Sequence, residues 1–355
     1  MRNPTRAFLL GPLLKGVSRS FYLTLRILPA GMRDPIGLAY LLARAADTIA
    51  DTSLISSQQR LALLLSLRAQ VVGAGTDAEG AELVRRLAAE VAGQQTQSDE
   101  KRLLGSLEPA LAVLRQLSES DRVAVRGVVS TLTQGMEFDL HTFPDENSGQ
   151  LVALREWDEL DRYTYLVAGC VGEFWTMMTY AHLPGTLKSA PETMLARGVR
   201  FGKALQMTNI LRDCGKDLRI GRCYFPTTML ERFDLSPPAL LAPDTSLRAQ
   251  ALLFELVGRA LEHFREALEY TLAIPACSIR LRLACLWPIV IGLETLLLLV
   301  DNEAWLDPAK ISKVKRNKVY QVVAYSIPVA ASNRLLRLWV EGLLGRIEAR
   351  LKAAR

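Results

Sequence analysis

Asn209, Asp213 and Asp217 recur every four residues within Gln206–Pro226 (QMTNILRDCGKDLRIGRCYFP), a spacing that sets their side chains along one helix face about one turn apart. Far upstream, Asp47-Thr-Ile-Ala-Asp51 repeats the four-residue carboxylate spacing at the end of the apolar stretch Ile36 to Ala46. Oxygen donors with no clustered His or Cys favour Mg²⁺, which commonly completes its octahedron with water and substrate phosphates. Arg44 flanks the first pair, and Arg212, Arg219 and Arg222 flank the second row, so guanidinium charge is at hand for the same phosphates. Two such helices facing each other would clamp a metal-bound diphosphate.

The elements that carry these acids sharpen the argument. Asp34-Pro35 reads as an N-cap followed by proline at the first helical position, which predicts a helix from Pro35 to about Asp51. Gly215 reads as a C-cap just beyond Asp213. Acids in a last helical turn oppose the helix dipole at a cost of roughly 0.3 to 1 kcal/mol each, and a nearby cation offsets that cost. One DxxxD pair in 355 residues is expected by chance and normally marks a solvated face. Two pairs, both closing apolar helices and both flanked by arginine, point to metal and diphosphate.

Leu, Ala, Arg and Glu in helical periods dominate the chain, with no sustained period-two runs, so the fold class is all-α. With half of its 355 residues apolar the chain can bury one large core or two smaller ones, and because no linker forces a division, 1–355 reads as a single domain. Five cysteines without a CxxC fit reduced thiols in the cytoplasm. The N-terminal segment is basic then apolar, but Gly11-Pro12 breaks it and it leads directly into Ser18-Arg19-Ser20-Phe21, so it does not read as a signal peptide. The net charge is +6, yet Lys310 to Arg355 holds eleven Lys or Arg against Glu341 and Glu348, which leaves the remainder at −3. No zinc-finger spacing or basic patch interleaved with aromatics supports nucleic-acid binding.

Along the chain, Ser18, Arg19 and Ser20 offer hydroxyls and a guanidinium suited to phosphate. Ser56 to Leu140 reads as amphipathic scaffold helices. Leu151 to Tyr180 reads as one long helix carrying Tyr163, Tyr165, Gly169 and Gly172, where glycines make room for a close neighbour or a ligand chain. Leu218 to Asp244 has no clean helical period and reads as a flap in which Arg219, Arg222 and Tyr224 seal the diphosphate. Leu283 to Val300 is very apolar but bounded or interrupted by Arg282, Pro288 and Glu294, so it reads as a buried helix. Lys310 to Lys318 (KISKVKRNK) is a candidate for an anionic ligand. Asn333 to Arg355 is amphipathic and basic, with Leu335, Trp339, Leu343 and Ile347 as its apolar stripe; core packing explains it, and contact with anionic lipid is compatible with it.

Four of these segments, SRSF (Ser18 to Phe21), DTIAD (Asp47 to Asp51), YxxxVAGxVG (Tyr163 to Gly172) and NILRDxGxDxRxGRxYFP (Asn209 to Pro226), together resemble the squalene/phytoene synthase family, nearest to its bacterial squalene synthases. The resemblance implies an all-helical isoprenoid synthase bundle around a central prenyl-chain cavity. It implies Mg²⁺-dependent, head-to-head condensation of two farnesyl diphosphates through presqualene diphosphate, then reduction by NADPH to squalene for sterol or hopanoid biosynthesis. In that reading Asp47, Asp51, Asn209, Asp213 and Asp217 hold metal, and Ser18, Arg19, Ser20, Arg44, Arg212, Arg222 and Tyr224 hold diphosphate. Tyr163 handles the proton lost on cyclopropane closure; an ordinary phenol pKa near 10 argues against a free phenolate, so it relays the proton to the released diphosphate or is tuned by arginine. Lys313 and Lys315 align with basic residues of the family's nicotinamide site. Ala50 departs from the pattern, since eukaryotic squalene synthases place a third acid there. Phytoene, dehydrosqualene and hydroxysqualene synthases, which work without NADPH, are the alternative, and a non-catalytic assembly factor of this fold is a remote one that the retained aspartates argue against. The expected setting is a cytoplasmic monomer with peripheral contact at the inner membrane face.

Overall fold

The structure, a computed structural model, describes residues 4–18, 21–92, 98–242 and 244–353. The chain divides into two compact units, one of residues up to His141 with Met177–Leu183, the other of Thr142–Thr176 with Pro184–Arg355. Both are helical, as the periodicity predicts, and the only strands among the described residues are Val152–Ala153 (β1) and Arg222–Cys223 (β2), a parallel bridge with Val152 opposite Arg222.

In the first unit, short helical segments ending at Ile27 lead into α1 (Ala30–Ala50). This helix starts ahead of the predicted Asp34-Pro35 boundary: Pro29 precedes it and Pro35 lies inside. Asp34 is not an N-cap because its carboxylate is engaged by Arg6 at 2.7 Å, a tertiary partner that local capping rules do not register. α2 (Ser57–Val72) and α3 (Asp77–Arg86) each begin at a capping box, Ser56 with Gln59 and Thr76 with Glu79, which satisfies otherwise orphaned N–H groups. Gly73 ends α2 at φ 81°, a left-handed conformation that glycine adopts without steric cost. α4 (Ser98–Leu104), α5 (Leu107–Arg115) and α6 (Glu119–Thr142) follow. The apolar face of α1, with Leu38, Leu41, Leu42, Ala45 and Ile49 buried, packs on α2, α4 and α5 and fixes the end of α1 where the first acids stand.

The expected continuous helix from Leu151 resolves into β1, α7 (Trp157–Thr164), a π-helical turn at Tyr165–Gly169, and α8 (Cys170–His182), which belongs to the first unit from Met177 and to the second unit up to Thr176. α9 (Pro191–Arg219) opens with proline at its first position and carries the second acid row. α10 (Gln250–Ala273), α11 (Ile279–Val300), α12 (Arg316–Ala330) and α13 (Asn333–Ala353) complete the unit. α11 is long and apolar enough to cross a membrane, with mean hydropathy 2.3 over its best window, but 78% of that window is buried and it serves as the core helix. Its Arg282 is fully buried and donates to the carbonyls of Ile274 (2.9 Å) and Ala330 (2.7 Å) and to Asn333 Oδ1. On α13 the buried stripe is Leu336, Val340, Leu343, Leu344 and Ile347, so the predicted stripe starts one residue early: Leu335 is exposed.

Candidate functional site

In the first unit Asp47 lies in the last turn of α1 and Asp51 is its C-cap, its N–H donating to the Asp47 carbonyl at 2.9 Å. Arg44, one turn earlier, donates to Asp47 and also to the buried Glu100 at 2.5 Å. Burial pushes the Asp47 carboxyl up to about 7, with the neighbouring Asp51 charge adding to the rise and Arg44 opposing it. Arg44 itself is raised: burial lowers it, but Asp47 and Glu100 outweigh that. Arg60, buried behind the helix end, donates to the Ala50 carbonyl at 3.1 Å. Part of the dipole cost of acids at this terminus is therefore met by two arginines, so a metal is not the sole explanation for their placement. Ser18 is 4% exposed and donates to the Leu14 carbonyl, one turn back on its own helix. Arg19 and Ser20 lie outside the described residues.

In the second unit Asn209, Asp213 and Asp217 share one face of α9, as their spacing predicts. The helix runs through Gly215 rather than ending there. A Cβ at Gly215 would meet the Leu306 carbonyl oxygen at 2.6 Å, so this glycine admits a neighbouring backbone and is not a cap. The dipole argument therefore passes from Asp213, now well inside the helix, to Asp217 in its last turn. Arg212 grips Asp213 with two bonds, Nε–Oδ1 at 2.9 Å and Nη2–Oδ2 at 2.5 Å, and its own pKa rises mainly through that pairing. Asn209 is exposed, with Gln206 Oε1 3.4 Å from its amide.

The stretch read as a flap carries only short elements. β2 pairs with β1, Cys223 and Phe225 are buried, and Thr227–Glu231 and Pro238–Leu241 are short helical turns. Asp217, Arg222 and Tyr224 line one small recess with Cys214 and Phe225. Tyr224 stacks on Tyr163 with ring centroids 4.8 Å apart and hydroxyls 3.3 Å apart, and Phe143 abuts Tyr224 edge-on at 5.0 Å. Arg222 reaches Glu146 at 3.5 Å. Three predicted residues of the second unit thus share this recess, and a fourth, Tyr163, packs on one of them. Lys313 and Lys315 do not join them: both are exposed, alternating with the buried Ser312 and Val314 on the segment leading into α12.

The π-helical turn after Tyr163 shifts the register between it and the glycines. Tyr165 donates to Glu173 at 2.9 Å, and burial with that carboxylate pushes its phenol up to about 12, so it stays protonated. The room at Gly169 and Gly172 is taken by α9 and not by a ligand chain: a Cβ on Gly172 would come within 1.8 Å of the Gly198 carbonyl oxygen. Sequence reasoning missed Glu100, Glu146 and Glu173, the carboxylates that hold Arg44, Arg222 and Tyr165. Only the i, i+8 spacing of Tyr165 and Glu173 hinted at a shared helix face.

Among the described residues no three His, Cys, Asp or Glu side chains gather into a ready-made metal cage. The donors nevertheless suit Mg²⁺, which is held by one or two carboxylates while water and substrate phosphate fill its other positions. The raised Asp47 carboxyl, beside Asp51, is a charge that a cation relieves.

The squalene/phytoene synthase family model matches residues 14–317. The chain is 27% identical over 262 residues to the bifunctional lycopene cyclase/phytoene synthase of Colletotrichum graminicola, covering 73% of this chain and 41% of that protein. It is 26% identical over 306 residues to the squalene synthase of Eremothecium gossypii, covering 85% and 64% respectively. It thus spans about half the length of the curated relatives it matches. Among solved structures, TcSQS in complex with the ligand E5700 superposes with a TM-score of 0.74 at 20% identity over 99% of both chains, a likeness of fold alone.

Proposed function

The chain belongs to the squalene/phytoene synthase family, and on that premise we propose that it is a squalene synthase, joining two farnesyl diphosphates head to head through presqualene diphosphate and reducing the product with NADPH. The convergence of Asp217, Arg222 and Tyr224 on one recess, with Tyr163 stacked on Tyr224, is the observation that carries this reading. Residues 1–355 act in it as one synthase domain.

Asp47, Asp51, Asn209, Asp213 and Asp217 are the residues that would hold Mg²⁺, which when bound neutralises the diphosphate leaving group. Arg44, Arg212 and Arg222 supply charge-assisted hydrogen bonds to diphosphate oxygens, with Ser18, Arg19 and Ser20 as further contacts. Each of the three arginines now sits on a carboxylate, so substrate binding exchanges one anionic partner for another. Departure of the diphosphate leaves an allylic cation, the double bond of the second substrate attacks it, and loss of a proton closes the cyclopropane. Tyr163 receives that proton as its own passes to Tyr224, whose hydroxyl lies 3.3 Å away, and Tyr224 in turn gives up its proton to the released diphosphate. Burial of both rings excludes water that would quench the cation. Tyr163→Phe keeps the stacked ring and removes the relay, so kcat should fall roughly 100-fold with KM little changed. Wild-type kcat in that variant would return Tyr163 to a packing role.

For the reductive half, we assign Lys313 and Lys315 to the phosphates of NADPH. Replacing both by Ala should raise the KM for NADPH about tenfold, solvent screening limiting the effect, while presqualene diphosphate still forms because that step needs no hydride. The deciding experiment is product analysis from farnesyl diphosphate and Mg²⁺ with and without NADPH. Squalene only with NADPH supports the assignment; the same polyene under both conditions identifies a phytoene- or dehydrosqualene-type enzyme, and no magnesium-dependent turnover leaves the assembly-factor alternative. The proposed setting is cytoplasmic and monomeric.

A further inference from the structure

α12 wears its apolar stripe outwards. Tyr320, Ala324, Ile327 and Pro328 stand at i, i+4, i+7 and i+8, the spacing that on a surface helix marks the buried side, yet all four are exposed, Tyr320 by 53% and Ile327 by 55%. The buried side is Val322, Ser326 and Ala330, smaller and in part polar. Tyr325, 67% exposed, widens the outward face, and Leu335 and Leu338 of the adjoining α13 are exposed as well. Not one residue from Val319 to Asn333 is charged.

Charge collects instead at the ends. Lys313, Lys315, Arg316 and Lys318 precede the uncharged run and Arg334 follows it, all exposed. Lys315 is the N-cap of α12, with Arg316 and Lys318 in its first turn, where positive charge opposes the helix dipole and an external anion relieves it. Among the described residues only Lys318 of these has a carboxylate partner, Glu294 at 3.1 Å, while Arg316 donates to the Tyr320 hydroxyl at 3.0 Å.

An apolar face of this kind is covered either by protein or by lipid. The charge distribution favours lipid. Lys310–Arg355 carries eleven basic side chains against two acidic ones, so a second copy would set like charge against like, whereas an anionic bilayer supplies the opposite sign. We propose that α12, with the basic segment ahead of it, docks this protein on an anionic membrane surface, with Tyr320, Tyr325 and Ile327 entering the boundary between headgroups and acyl chains. Aromatic and aliphatic side chains supply the partition and the lysines and arginines the selectivity, each basic residue near such a surface contributing about fivefold in affinity. The basic segment includes Lys313 and Lys315, assigned above to NADPH, so the test leaves the lysines in place and varies Tyr320 and Ile327, which the reaction does not use.

Sedimentation with lipid vesicles tests it, using about one-third phosphatidylglycerol in phosphatidylcholine against phosphatidylcholine alone. The wild-type protein should bind the anionic vesicles, release them as salt rises, and leave the neutral ones in solution. Tyr320→Ser combined with Ile327→Asp, both at outward positions, should weaken binding at least about tenfold without changing the melting temperature. If that variant misfolds, hydrogen exchange on the wild-type protein takes its place: anionic vesicles should protect residues 316–335. Equal binding to neutral vesicles, undiminished binding by a folded double variant, or absent protection overturns the proposal. So does a concentration-dependent dimer that the double variant loses, because the face would then join two copies of this chain.

Discussion

Asp47→Asn is expected to abolish magnesium-dependent turnover while raising the melting temperature of the metal-free protein. The activity loss follows from the role assigned to Asp47: asparagine keeps the volume but not the charge that draws a hard cation. The stability gain follows from the raised carboxyl. An acid whose folded pKa lies at about 7, above its unfolded value, binds its proton more tightly in the folded state, so the folded protein pays nothing for it at acidic pH. As pH rises from about 4 the penalty for ionising beside Asp51 grows, and it is complete above the folded pKa of about 7. Asparagine removes that penalty. Because the Asp47 side chain is 38% exposed, screening reduces the gain to about 1 kcal/mol, or roughly 2 °C for a chain of this size. Melting curves of the two proteins in EDTA should therefore coincide near pH 4 and separate by pH 8. A variant that loses stability at pH 8, or that still turns over farnesyl diphosphate, would remove Asp47 from the metal role.

Gly172→Ala should be the more damaging substitution to the fold. In an open helix the change gains about 1 kcal/mol, and Gly127→Ala on α6, with nothing within 4 Å of the added carbon, should show that gain. At Gly172 the added carbon would lie 1.8 Å from the Gly198 oxygen and 2.5 Å from its carbonyl carbon, both backbone atoms that no rotamer change can move. Gly202 makes the same approach to Ala168 one turn further along α9, so α8 and the π-helical turn cannot retreat without breaking a second contact. A loss of about 3 kcal/mol or more is expected, read as a lower melting temperature and a lower yield of folded protein. Opposite signs for Gly172→Ala and Gly127→Ala are the outcome that counts. Equal melting temperatures would mean that the helices are not in backbone contact.

The family motifs were legible because they are local: DTIAD and NILRD each set their acids by spacing within one helix, and the structure keeps both on one face. Helical periodicity likewise fixed the all-α class and the burial of α11. What escaped was tertiary. Asp34 resembled a cap until Arg6 claimed it, Gly215 resembled a helix end until Leu306 lay against it, and of the two readings open at Gly169 and Gly172, a close neighbour or a ligand chain, α9 is the neighbour that fills the space. In each case the residue type was read correctly as needing a partner, and the partner came from far along the chain. Glu100 and Glu146 were invisible for the same reason, since nothing near them in sequence says which arginine they will hold.

Arg282 also sets a timetable. Two of its three acceptors, on Ala330 and Asn333, lie 48 and 51 residues downstream, so during synthesis its guanidinium is made long before the atoms that will solvate it inside the protein. At about 5 to 20 residues per second, α11 waits several seconds with a charge it cannot bury. Full solvation of the Arg282 charge inside the second unit therefore requires the start of α13.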